Sequence, residues 1–203
     1  MAKLVQDTSL TSVADAIRAK TGGTDSLTFP SEFVSAINGI TAATKPYVEE
    51  TFDESNSVIG AALYGYTYTA SYMFYNHNKL VSVSLPDGIL LISHHAFEYC
   101  TNLALTALPN TTRTIGYYAF HNCTSLAITA LPSGLIFIQG AGFKGCTNLT
   151  SIVFGGTPQY VESDAFLDCT NLTDIKVPWA EGAVAGAPWG ATNATITYNY
   201  TGA

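Results

Sequence analysis

Phe74, Phe97, Phe120, Phe143 and Phe166 stand 23 residues apart, and so do Leu80, Leu103, Leu126, Leu149 and Leu172. Self-similarity held at a period of this size predicts a solenoid, in which each repeat is one coil that buries its apolar side chains only against its neighbours. Each repeat follows a cysteine with Thr101-Asn102-Leu103, Thr124-Ser125-Leu126, Thr147-Asn148-Leu149 or Thr170-Asn171-Leu172. It then runs to Leu85-Pro86, Leu108-Pro109, Leu131-Pro132, Phe154-Gly155 or Val177-Pro178. A second short strand centres on Ile92, Ile115, Ile138 or Val161, and an Ala-Phe pair closes the coil. Two strands per coil predict two narrow parallel sheets with the Leu, Ile and Phe slots inward. The expected fold is mostly β with short helices. A solenoid is a scaffold, so function has to be read from what the coils display.

The repeats depart from the pattern in one place. Thr106 and Thr129 stand where Val83, Ile152 and Ile175 are apolar, and Leu105 and Ile128 come one position earlier. Side chains alternate faces along a strand, so this shift predicts a bulge in the first strand of the second and third coils.

Cys100, Cys123, Cys146 and Cys169 also follow the period, with His77 in the same slot of the first coil. Stacking sets them in single file, roughly 4.8 Å apart if the coils pair as parallel strands. Zinc needs ligands converging on a point, and a file does not converge. A disulfide between neighbours is within reach, but parallel inward side chains rarely meet its torsion. Buried free thiols are the expectation.

With 15 acidic against 8 basic side chains the net charge is −7, which leaves no electrostatic footprint for nucleic acid. Only 11% of residues are charged while 47% are hydrophobic, so Thr, Ser, Asn and Tyr must wet much of the surface. No apolar run approaches the roughly 20 residues of a membrane helix, and Met1-Ala-Lys-Leu-Val-Gln-Asp lacks the apolar middle of a signal peptide.

Four segments are expected. Residues 1–43 read as a helical hairpin: Leu10, Val13 and Ile17 follow helical spacing before Gly22-Gly23, and Phe33 and Ile37 continue the apolar stripe on a second helix after Pro30. About 40 residues is too few for comfortable stability alone, so this stripe should pack on a second copy, on the repeats or on another protein, as an assembly element does. Residues 44–63 read as a linker and lead-in strand, 64–178 as the solenoid and 179–203 as a C-terminal cap. Tyr64, Tyr66 and Tyr68 alternate as residues of a strand do. In the cap, Trp189 falls 23 after Phe166, and Ile196, Tyr198 and Tyr200 suggest a final strand.

The wording from Leu10 through Lys20-Thr-Gly22 to Ala36-Ile-Asn-Gly-Ile40 resembles a short segment of tail and minor structural proteins of bacteriophages of Gram-positive hosts. That resemblance implies a virion context. The Asn-Leu, Leu-Pro, Ile-Gly, Ala-Phe and Cys pattern across residues 64–178 resembles the BspA-type leucine-rich repeat family of bacterial surface proteins, whose members are mainly adhesion and interaction modules. It implies binding without catalysis.

The residues carry no G-x-S-x-G, no H-E-x-x-H and no phosphate-cradling loop, so no catalytic residue, metal or cofactor is expected. His94, His95 and His121 with Glu98 allow a zinc site to be imagined, and Glu162, Asp164 and Asp168 a calcium site; ordinary solvated turns account for both. The candidate ligand surface is His94, His95, Tyr99, Tyr117, Tyr118 and His121: His94 and Tyr117, and His95 and Tyr118, are 23 apart and should stack. Flat rings with polar tips suit sugars or protein, though the same rings would also serve as plain edge cover. The strand face around Ser82, Ser84, Ser151, Asp174 and Lys176 is the alternative. The expected function is a phage tail or fibre-associated protein that binds a host-surface glycan or protein through its solenoid and other virion proteins through its helices. A bacterial surface adhesin and a purely structural virion component are the rivals.

Overall fold

The structure is a computed structural model and describes residues 46–202. The hairpin expected over 1–43, with Leu10, Val13, Ile17, Phe33 and Ile37, lies outside the described residues.

The chain enters on two antiparallel strands, β1 (Tyr47–Phe52) and β2 (Val58–Tyr64), paired from Tyr47↔Tyr64 to Phe52↔Val58. The stretch expected as a linker and lead-in strand is thus a β-hairpin. Asp53 closes its turn, accepting from the Ser55 and Ser57 amides at 2.8 and 2.9 Å. Strand β2 ends at Tyr64 because Gly65 turns the chain at φ +72, so Tyr66 and Tyr68 are not strand residues as their alternation suggested. Tyr66 packs against the core, and Tyr68 makes a single bridge to Leu91.

Coils one to five follow, at residues 78–100, 101–123, 124–146, 147–169 and 170–192. Their second strands, β4 (Leu91–Ile92), β5 (Thr114–Ile115), β7 (Phe137–Ile138) and β9 (Tyr160–Val161), form one parallel sheet in which partners are 23 apart. The first strands do not form one sheet. Strand β3 (Ser82–Ser84) joins the hairpin, while β6 (Ala130–Leu131), β8 (Ser151–Phe154), β10 (Asp174–Lys176) and β11 (Thr195–Thr197) make a separate sheet. Coil two contributes no first strand. The expected pair of sheets is therefore three, divided where the pattern shifts. Ile128 is buried while Thr129 is exposed, so the inward slot has moved one residue earlier and the ladder breaks around it.

The described residues contain no helix, whereas a mostly β fold with short helices was expected. The reason is visible in the amides of coil one. Those of Ala96, Glu98 and Cys100 bond back to Ser93, His95 and Phe97, three residues earlier, while those of His95, Phe97 and Tyr99 reach Tyr117, Ala119 and His121 of the next coil. Every second amide is spent across coils, so no i to i−4 ladder can propagate. The alternation needs left-handed residues, which fall at Tyr72, His95, Tyr118 and Ala141 and again at Asn76, Tyr99, Asn122, Gly145 and Asp168.

The core is a set of columns. Phe74, Phe97, Phe120, Phe143 and Phe166 stack with centroids 5.3–5.4 Å apart and planes within 11°. Leu80, Leu103, Leu126, Leu149 and Leu172 and Ile92, Ile115, Ile138 and Val161 are buried beside them. Trp189, fully buried, closes the bottom of the column: its carbonyl accepts from the Phe166 amide at 2.9 Å and its indole donates to Ala185 at 2.8 Å. The final strand β11 pairs with β10 and covers that sheet's edge.

Candidate functional site

The ring residues gather on one turn of the coils. His95 lies between Tyr72 and Tyr118, with centroids at 4.4 and 5.1 Å and planes within 6°. His94 tilts against Tyr117 at 5.3 Å, and its Nδ1 accepts from the Tyr117 amide at 3.0 Å. Tyr99 tilts on His121 at 5.2 Å, and Tyr118 meets His121 edge-on at 5.4 Å. All six candidates therefore belong to one patch. The expected His94–Tyr117 and His95–Tyr118 neighbours are present.

Two relationships go beyond the expectation. The patch extends one turn earlier through Tyr72 and Tyr75, which meet at 5.7 Å, with Tyr75 edge-on to Tyr99 at 5.9 Å. Tyr72 precedes His95 by 23 and Tyr75 precedes Glu98 by 23, so the period itself was the signal. Secondly, the ring faces of the central stack are turned toward one another. The central stack therefore turns edges and polar tips outward, rather than ring faces.

Glu98 is a buried carboxylate, bonded to His95 Nδ1 at 2.5 Å and to His121 Nδ1 at 2.8 Å. Among the described residues no group of three or more His, Cys, Asp or Glu is arranged to hold a metal ion. The imagined calcium trio is dispersed: Glu162 accepts from the Tyr160 hydroxyl, Asp164 from the Ala141 amide, and Asp168 faces Lys144 at 3.8 Å. Beneath Tyr117 and Tyr118, coil three carries Gly140-Ala141-Gly142. A side chain at Gly140 would touch the Tyr117 ring at 3.4 Å.

The four cysteines are free and buried. Burial pushes the thiols of Cys100 and Cys169 up to about 12 and those of Cys123 and Cys146 well above their ordinary value, which disfavours the nucleophilic thiolate.

Two further surfaces are displayed. On the alternative strand face, Ser82 and Ser84 are exposed, and Lys176 pairs with Asp174 at 3.1 Å while lying 5.4 Å from the Tyr200 ring centre. The second sheet turns outward a column that sequence reasoning passed over, Tyr68, Leu91, Thr114, Phe137 and Tyr160, in which Tyr68, Phe137 and Tyr160 are exposed.

The model of the BspA type leucine rich repeat region matches residues 67–181 in 6 copies, more than half of the chain. The chain belongs to this family. Among solved structures, the repeat protein is similar to the leucine rich repeat protein TpLRR of T. pallidum, at 25% identity and TM-score 0.54, over 75% of this chain and 79% of that one. It is also similar to a leucine-rich repeat protein of Bacteroides ovatus, at 18% identity and TM-score 0.42, over 64% of this chain and 45% of that one. No curated protein matches the sequence. As a BspA-type repeat protein it has a scaffold suited to protein binding or surface interaction.

Proposed function

We propose that this repeat protein is a phage virion component, associated with the tail or a fibre, that binds a glycan or protein of the host surface through His94, His95, Tyr99, Tyr117, Tyr118 and His121. One observation carries the choice of surface. Tyr72, His95 and Tyr118 stand at φ 59, 57 and 56, where Gly, Asn or Asp would sit more cheaply. Left-handed backbone costs a residue with a Cβ on the order of 1–2 kcal/mol. Tyr72 is 56% exposed and Tyr118 38%, so burial returns little of that cost. Strain kept at exposed rings is a mark of a recognition surface. The virion context is supported by the wording of residues 10–40, and the helices expected there would provide attachment to other virion proteins or to a second copy. The reading assigns no catalytic step.

The second reading, a structural component whose solenoid contacts other virion proteins, is favoured by the outward column of Tyr68, Phe137 and Tyr160. A bacterial surface adhesin is the third. Mass spectrometry of purified particles and binding of the repeats to a panel of Gram-positive cells test the proposal together. Particle association with cell binding lost in Tyr117→Ala/Tyr118→Ala supports it. Particle association with no cell binding moves the assignment to the structural reading, and absence from particles moves it to the adhesin.

A further inference from the structure

Glu98 is 7% exposed and sits between imidazoles of two adjacent coils. An ionised carboxylate only accepts, so the short contacts from His95 Nδ1 and His121 Nδ1 place a hydrogen on both atoms. In a neutral imidazole the other nitrogen is then an acceptor. Neither Nε2 has a hydrogen-bond partner among the described residues, and the His95 and His121 side chains keep 23% and 13% of their surface exposed. The rings are held in place. Tyr72 and Tyr118 clasp His95, and Tyr99 and Tyr118 bracket His121. A carboxylate is costly to bury without hydrogen bonds, and here each oxygen has one, Oε2 with His95 and Oε1 with His121.

We infer that Glu98 is a positioning residue that turns the ring patch into a two-acceptor site for hydroxyl groups of a neutral glycan. The inference rests on the patch being the ligand face. Because the central ring faces are stacked on each other, a sugar meets the patch through its hydroxyls rather than its C–H faces. The buried carboxylate and the net charge of −7 disfavour an anionic polymer. Protonation gives an imidazole a hydrogen on both nitrogens, so acidification removes the two acceptors. The other titratable groups around the cluster are the phenols of Tyr72, Tyr99 and Tyr118, the Cys123 thiol on the core side, and Lys144, one coil beyond His121 and paired with Asp168. Of these types, imidazole is the one whose charge changes between about pH 5 and 8.

The test uses the full chain and E98Q. Glutamine offers one acceptor and one donor in nearly the same shape, so it holds at most one imidazole in the Nδ1–H form. Nitrogen-15 NMR reads the tautomers, and an array of neutral, acidic and amino oligosaccharides reads binding at about pH 7.5 and about pH 5.5. The wild type should show acceptor-type Nε2 signals for both imidazoles and bind neutral glycans; E98Q should lose one such signal and about tenfold in affinity, and acidification should weaken wild-type binding. An Nε2–H form in the wild type at neutral pH overturns the inference. So does binding confined to acidic or amino glycans, or neutral-glycan binding that is lost in Tyr117→Ala/Tyr118→Ala but unchanged in E98Q. If both tautomers are as stated and no neutral glycan binds, the inference falls; the ligand-face reading falls with it only if cell binding also survives in Tyr117→Ala/Tyr118→Ala.

Discussion

The Cys123 thiol donates to the carbonyl oxygen of Phe97 at 3.0 Å, and that oxygen also accepts from the Cys100 amide at 3.0 Å. Cys100, Cys146 and Cys169 reach Phe74, Phe120 and Phe143 in the same way. Each thiol therefore fills the second lone pair of a buried carbonyl one coil back, with a side chain that is otherwise a small hydrophobe. This accounts for the cysteines of coils one to four without a disulfide or a metal.

Thiol chemistry checks this arrangement. Native protein should react slowly with a thiol reagent, and denatured protein should yield all four thiols. Two or fewer after denaturation without reductant would show disulfides instead.

The same column predicts an alkaline limit. Burial holds the Cys100 and Cys169 thiols at about 12, above the ordinary 9.0, so the folded state keeps them neutral where the unfolded chain would ionise. The resulting stability is fully present below pH 9 and is lost as pH rises through about 12. Urea midpoints measured across that window should fall, and fall less steeply in Cys100→Ala/Cys169→Ala. Equal slopes would remove the thiols from the explanation.

Phe120 stacks between Phe97 and Phe143 in the middle of the column. Phe120→Ala should cost about 3–5 kcal/mol, through lost burial and a cavity that neighbouring coils cannot fill. Denaturant unfolding measures it, and an unchanged midpoint would contradict the register.

At Gly116 an added Cβ would lie 2.8 Å from the His94 backbone nitrogen. Gly116→Ala should push His94 away from Tyr117, destabilise the protein by about 1–3 kcal/mol as overpacked sites do, and weaken ligand binding as well. A crystal structure of the variant with the His94–Tyr117 pair intact would refute this.

Tyr118→Gly separates binding from folding. Relief of left-handed strain, about 1–2 kcal/mol, offsets lost ring contacts of about 0.5–1.5 kcal/mol, so the melting temperature should stay near wild type while binding to cells falls. Binding retained at full strength would move the ligand face to another surface, such as the outward column of the second sheet.

The inward columns were legible in the sequence because a side chain buried once per coil recurs at the coil length, as Phe120 and Leu126 do. The place of the break in the first strands was legible, since Leu105 and Ile128 shift by one residue, but its form was not: coil two lacks the strand where a bulge was expected, and β6 of coil three pairs in regular register. The absence of helix was not legible either, because it depends on amides such as Phe97 choosing the next coil over their own. Glu98 was noticed but underrated. A carboxylate one period before a histidine reads as a solvated charge until the left-handed turn at His95 folds both rings onto it.

The missing strand of coil two gives the two flanks of the solenoid different mechanical characters. The flank of β4, β5, β7 and β9 is laced without interruption through four coils and works as a spine. On the other flank, coil two is tied to its neighbours there by scattered bonds, such as Ala104 to Val81 and Ala127 to Leu105, and works as a hinge. Because the stack of Tyr72, His95 and Tyr118 spans the same coils, bending at that hinge would open or close the spacing of its rings. A ligand that fixed the spacing of those rings would therefore stiffen the solenoid at coil two.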